Sequence, residues 1–299
     1  MKLLKNATII PLAGTMASFT GGVYTSDGQF VEDSLLYRGR PAELQKPVEY
    51  LSETYIYGGC LFRHFGHLIW ESISRLYIIR QCKDYPILFI NPNDEQLNNK
   101  LSTFFKTIGV KNEIRLVKVP TSVENLIYSP PGSALNPLYI NEEQFNALQY
   151  FSFSENMIDN YSEKKIWISR SNLLFGVVVN ELVIEKVLTK IGYKIIYPEL
   201  LPIKEQVRLI CTADIVAGFD GSAFFSLLFS KDICSKFYIF NRRPHIPKTI
   251  PYVLHKRKVQ FELHNFDVEY IAGEGAWAYY NHLAPDKIVE ILNNISTNS

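Results

Sequence analysis

At 299 residues and 47% apolar side chains the chain can bury a sizeable core, and its length suits two domains of ordinary size. Thirty-one basic and thirty acidic residues leave a formal charge of +1 with no Lys/Arg tract, which excludes a general nucleic-acid footprint. Cys60, Cys82, Cys211 and Cys234 are widely spaced and form no C-x-x-C pair, so buried reduced thiols in a cytoplasmic protein are expected.

Residues 1–19 are interrupted by Pro11 and Gly14, and no run reaches signal or membrane-spanning length. Up to residue 50 the pattern is weak, with turns at Gly21, Gly22, Gly28 and Pro41 and a short strand over 29–31. Residues 55–57 then read as a strand, Gly58 and Gly59 as a turn, and 62–81 as a long helix. Strand and helix alternate through 87–90, 94–108, 114–119 and 126–128, which is βα architecture. Asn136 and Pro137 form a loop, and 141–160 reads as a polar helical connector. The domain boundary is placed at its end, giving domains 1–158 and 159–299.

The second half alternates more regularly: strand 165–169, helix 180–191, strand 193–197, a helix from Pro202 to about Ala213, and strand 215–218. After a turn at 219–223 come a second apolar helix, a strand at 236–240 and a last amphipathic helix at 285–295, with a frayed end beyond. Strands separated by helices of this length predict a doubly wound parallel sheet, with ligands at the carboxyl ends of its strands. The turn through Asp220, Gly221, Ser222 and Ala223 lies at that edge and offers free backbone N–H groups to an anion; an ordinary strand-to-helix turn has the same signature. The segment 242–258 is basic and contains aromatic residues, and an ordinary surface connection is expected there.

In the first half His64, His67, Glu71 and Arg75 recur at helical spacing, while Leu68, Ile69, Ile73 and Leu76 cover much of the remaining surface. Three readings compete for this stripe. It is a general base with its orienting carboxylate, a metal site of two His and Glu71, or a solvated row of ion pairs.

These two places carry a resemblance. The run from His64 to Leu76, and the series Arg170, Asn180, Glu181, Gly192, Pro198, Glu199, Asp214, Gly218, Gly221, Ser222 and Phe229, resemble glycosyltransferase family 61, which includes bacterial capsular polysaccharide biosynthesis proteins. The resemblance implies a GT-B architecture, two Rossmann-like doubly wound domains facing across a cleft, with a last helix able to pack back on the first. It implies an inverting transfer that needs no metal, from a nucleotide-sugar donor, UDP-linked in expectation, to an oligosaccharide or lipid-linked acceptor in capsule or lipopolysaccharide synthesis. Cytoplasmic placement with peripheral contact at the inner face of the plasma membrane goes with that role.

Carried onto this chain, Arg170 is a candidate for the donor phosphates, Asn180 and Glu181 for donor-site order, and Gly221, Ser222 and Ala223 for the diphosphate turn. His67, oriented by Glu71 and supported by Arg75 and His64, is the expected base, with Glu71 as runner-up. The chain departs from the family where His normally precedes the turn glycine, here Asp220, and where Arg often precedes the Asn-Glu pair, here Gly176 and Val177. Arg242, Arg243, Arg208 and Lys248 are the cations able to compensate. Two other readings remain: a degenerate sugar-nucleotide or glycan-binding protein, and an NAD-dependent oxidoreductase, which the missing G-x-G-x-x-G disfavours.

Overall fold

Alternating and fully apolar runs both become strands here, and which kind occurs where separates the two halves of the chain. A computed structural model describes residues 1–15, 18–91, 97–153 and 164–297. Two compact units form, Met1–Tyr150 and Phe151–Ser299. The expected boundary at 158/159, the distal part of the connector, the start of the helix expected at 94 and the last two residues lie outside the described ones.

In the first unit β1 (Lys2–Thr15), β2 (Ser18–Tyr24), β3 (Gly39–Pro41), β4 (Glu49–Cys60), β5 (Ile87–Ile90), β6 (Ile114–Val117) and β7 (Thr121–Tyr128) make one sheet ordered β3-β2-β1-β7-β4-β5-β6. From β7 to β6 the pairs are parallel, whereas β1 runs antiparallel to both β2 and β7. The weakly patterned start is thus two paired strands, and the strand expected at 29–31 reduces to a single bridge between Tyr24 and Phe30. Instead of a turn, Gly58 and Gly59 form a bulge inside β4, with pairing shifting from Tyr57↔Leu88 to Gly59↔Phe89. The extra residue puts Cys60 into the same core cluster as Tyr55 and Tyr57.

The long helix expected at 62–81 is broken into α1 (Phe65–His67), a π-helical segment Leu68–Ser72, a turn, and α2 (Leu76–Gln81). Groups outside the helix hold the break open: Ser133 Oγ donates to Trp70 O, Gln144 Nε2 to Ile73 O and Gly132 N–H to Ser74 O. Asn98 caps α3 (Asn99–Thr107), accepting from Leu101 N–H. Asn136 and Pro137 join the hairpin β8 (Ser133–Leu135) and β9 (Leu138–Ile140) through a cis peptide. Of the connector, α4 (Glu142–Leu148), capped by Asn141, is helical.

The second unit is built on five parallel strands, β10 (Lys165–Ile168), β11 (Lys194–Ile196), β12 (Ile215–Phe219), β13 (Lys236–Phe240) and β14 (Phe261–His264), ordered β11-β10-β12-β13-β14. The order in which strands are added reverses between β10 and β12, the switch point at which doubly wound sheets open a crevice. On one face Trp167, Ala217, Phe219, Tyr238 and Phe240 pack under Ile184 and Leu188 of α5 (Glu181–Lys190) and Ile288 and Leu292 of the last helix. Burial on the other face includes Val207 and Ile210 of α6 (Ile203–Thr212). The expected surface connection at 242–258 holds α7 (Thr249–Arg257), which buries Ile250, Val253 and Leu254. The last helix, α8 (Pro285–Thr297), follows a hairpin of β15 (Val268–Ala272) and β16 (Tyr279–His282). The segment after the turn, Ser222–Phe229, is a 3-10 helix instead of an α-helix; six consecutive buried residues from Phe224 to Phe229 let packing override propensity.

The cysteines are free, with Cys60 and Cys211 buried and Cys234 exposed. Burial pushes the Cys60 and Cys211 thiols up to about 12, leaving them unreactive.

Candidate functional site

The π-helical segment sets the first cluster. Its wider winding turns Glu71 inward, where the residue is 1% exposed, and one carboxylate oxygen receives two donors. His67 Nδ1 lies 2.6 Å from Glu71 Oε2, and Arg38 Nη2 donates to the same oxygen at 2.8 Å. Because the carboxylate accepts, Nδ1 is the donor of this pair, which leaves Nε2 as the ring nitrogen a general base would use. Glu71 Oε1 is buried without a hydrogen-bond partner. Glu71 also lines a pocket of about 330 Å³ walled by Tyr37, Leu36, Pro131, Leu135 and Tyr139, with Asp33 and Glu32 among its lining residues. The His64 and His67 rings stand 5.4 Å apart between centroids.

Arg75 is drawn out of the stripe. It is 2% exposed, donates to Ser129 O at 2.8 Å and to Asp33 O, and lies over the rings of Tyr57 and Tyr128. Gly59, at φ +96°, leaves the space that its guanidinium fills, since a Cβ there would strike Nη1. So Arg75 braces β4 and β7 and is not placed beside the His67–Glu71 pair. Burial of Glu71 and Arg75 rules out the solvated stripe, and the neighbour that completes the pair is a guanidinium, which disfavours a cation at that carboxylate. Among the described residues no group of three or more His, Cys, Asp or Glu is arranged to hold a metal ion. Arg38, 33 residues upstream in a weakly patterned loop, carried no sequence signal.

The second cluster sits at the switch point. Asp220 is fully buried, accepts from Arg242 N–H at 2.8 Å, and its Oδ2 lies 3.6 Å from Arg242 Nε and 3.5 Å from Arg243 Nε. Of the compensating cations, Arg242 and Arg243 are therefore the two that reach Asp220, while Arg208 forks onto Glu205. Arg170 Nε and Arg242 Nη1 both donate to Gly176 O, at 3.0 and 3.3 Å. Arg242 thereby reaches the backbone at Gly176. A Cβ on Gly221 would run into Arg170 Nη1, so the absent side chain lets that guanidinium lie against the turn. The first hydrogen bond after the turn is Phe224 N–H to Gly221 O, which places the amides of Gly221, Ser222 and Ala223 ahead of it. Burial lowers the Arg170 and Arg242 pKa values, the latter to about 10.

Asn180 and Glu181 are both held by groups within the second unit. Asn180 Nδ2 donates to His282 O, and its Oδ1 accepts from His282 N–H, tying the start of α5 to β16. Glu181 is fully buried, accepts from Trp167 Nε1 at 2.9 Å and from Arg170 N–H, and burial raises its pKa to about 8. The Arg170, Arg242 and Arg243 guanidinium groups gather at Asp220, with Glu199 also acting on Arg170.

Residues 65–236, more than half of the chain, match the family model described as Glycosyltransferase 61. The chain belongs to this family. No curated protein matches it. In this glycosyltransferase the matched span takes in His67, Glu71 and the turn at Gly221, whereas Arg38, Arg242 and Arg243 lie outside it. Among the described residues no helix is long and apolar enough to cross a membrane.

Proposed function

We propose that the chain is an inverting glycosyltransferase that works without metal and moves a sugar from a nucleotide-sugar donor, UDP-linked in our reading, to a glycan acceptor. The carrying observation is the meeting of Arg170, Arg242 and Arg243 with the Gly221 turn at the switch point of a parallel sheet. In this reading the donor diphosphate lies on the amides of Gly221, Ser222 and Ala223. The acceptor hydroxyl gives its proton to His67 Nε2, its oxygen bonds to the anomeric carbon, and the bond to the diphosphate oxygen breaks with its electron pair leaving on the phosphate. Arg170 and its neighbours take up that charge, and Glu71 with Arg38 holds the imidazole. The pocket beside Glu71 receives the acceptor, whose ring the tyrosines can flank. The reading requires the GT-B arrangement. It places the enzyme in the cytoplasm, in capsule or lipopolysaccharide assembly, with peripheral contact at the inner membrane face when its acceptor is lipid-linked.

A thermal-shift screen with UDP, GDP, ADP, CDP, dTDP and CMP, with and without EDTA, tests it. One nucleotide raising Tm equally in EDTA, followed by transfer with inversion from its sugar conjugate, is the expected result. A second reading, a binding protein without chemistry, draws on Asp220 and Val177; tight nucleotide binding with neither transfer nor hydrolysis would establish it.

A further inference from the structure

A carboxylate beside a diphosphate should weaken its binding by repulsion, and burying one without function is costly. Asp220 is buried completely at the tip of the strand that ends in the turn, so its placement calls for a physical role. Its two oxygens are used differently. Oδ1 accepts from Arg242 N–H, whereas Oδ2 has no hydrogen-bond partner and is flanked by the Nε atoms of Arg242 and Arg243. The two arginines also differ. Arg242 has a side chain 6% exposed, and donates to Asp220 O and Gly176 O. Arg243 has a side chain 27% exposed, its Nε buried against Asp220, and its backbone carbonyl fixed by Asn241 Nδ2.

We propose that Asp220 is a positioning residue that aims Arg243 at the terminal phosphate of a bound nucleoside diphosphate, so that this carboxylate strengthens anion binding despite its own charge. The inference rests on the donor reading above. Arg243 is then a diphosphate ligand that lies beyond the family-matched span, and Asp220 supplies the order that a flexible exposed arginine lacks.

Asp220→Asn is the informative variant, because the amide keeps an oxygen to accept from Arg242 N–H and puts an uncharged NH2, which cannot attract Arg243 Nε, in place of Oδ2. Calorimetric titration uses the diphosphate that binds most tightly among UDP, GDP, ADP, CDP and dTDP, together with its monophosphate. D220N and R243Q are each expected to weaken the diphosphate by roughly tenfold and the monophosphate little, and the double variant by no more than either alone. R243Q, altered at a partly exposed side chain, serves if D220N does not fold. Tighter diphosphate binding by D220N, effects that multiply in the double variant, or equal losses for the monophosphate would overturn the proposal. If the unsubstituted protein binds none of the diphosphates, the donor reading itself fails and this inference falls with it.

Discussion

Glu71 in the first unit and Asp220 in the second are both buried carboxylates held by arginine, yet their partners differ in kind. Glu71 shares one oxygen between an imidazole and a single guanidinium. Asp220 is outnumbered by guanidinium groups, with Arg170 close by at Gly221. A carboxylate paired with an imidazole fixes a tautomer and readies a base; one surrounded by arginines pins cations in place for an anion. The residue type is shared, and the neighbours set the chemistry.

The comparison breaks first at the base. Replacing His67 with Ala should lower kcat by about 10²–10⁴-fold with nucleotide binding intact, measured by transfer rate alongside titration. If Glu71→Gln abolishes turnover while His67→Ala leaves it intact, Glu71 is the base. Arg38→Gln should cost roughly tenfold in kcat, since it removes one of two donors that orient Glu71, with the donor KM little changed. On the other side, Gly221→Ala is expected to raise the donor KM by roughly three- to tenfold. Its backbone is extended, at φ −176°, so any residue can adopt it, and the added methyl acts by pushing Arg170 off the turn. The apo Tm should hold.

The smallest effect is a change of slope. Burial raises the Glu181 pKa from 4.5 to about 8, so between those values the folded state holds a proton that the unfolded state has released. Stability from this group is therefore complete below about pH 4.5 and is lost as pH rises through about 8. Glu181→Gln keeps an oxygen for Trp167 Nε1 and Arg170 N–H and removes the titration. Its Tm should match the unsubstituted protein below about pH 4.5 and exceed it increasingly as the pH is raised through about 8, read by thermal denaturation across pH.

Local pattern made the second unit readable. Four of its five parallel strands, from β10 to β13, announce themselves as short apolar runs between amphipathic helices, and the turn at Gly221 follows from the strand before it. The first unit was harder. β1 and β2 pair antiparallel at the edge of a parallel block, and β7 takes its place between β1 and β4 through contacts distant in sequence. The helix carrying the candidate base looked continuous because periodicity records only spacing, and nothing local marks where Ser133, Gln144 and Gly132 intercept its carbonyls.

Within the candidate site, His67 and Glu71 were legible as an i, i+4 pair, and Arg170 and Gly221 as residues at the ends of neighbouring strands. Arg75 had the same helical credentials and went elsewhere, because the space at Gly59 and the faces of Tyr57 and Tyr128 offered its guanidinium a better solvent-free position. By itself, the sequence determined the alternation of strand and helix, the turn at the sheet edge and the family membership, all of which rest on residues close together in the chain. Only the tertiary structure decided that Arg38 completes the Glu71 pair and that Arg242 and Arg243 converge on Asp220. Such pairings join distant segments through charge, and a charged residue shows its partner only after folding has removed the water between them.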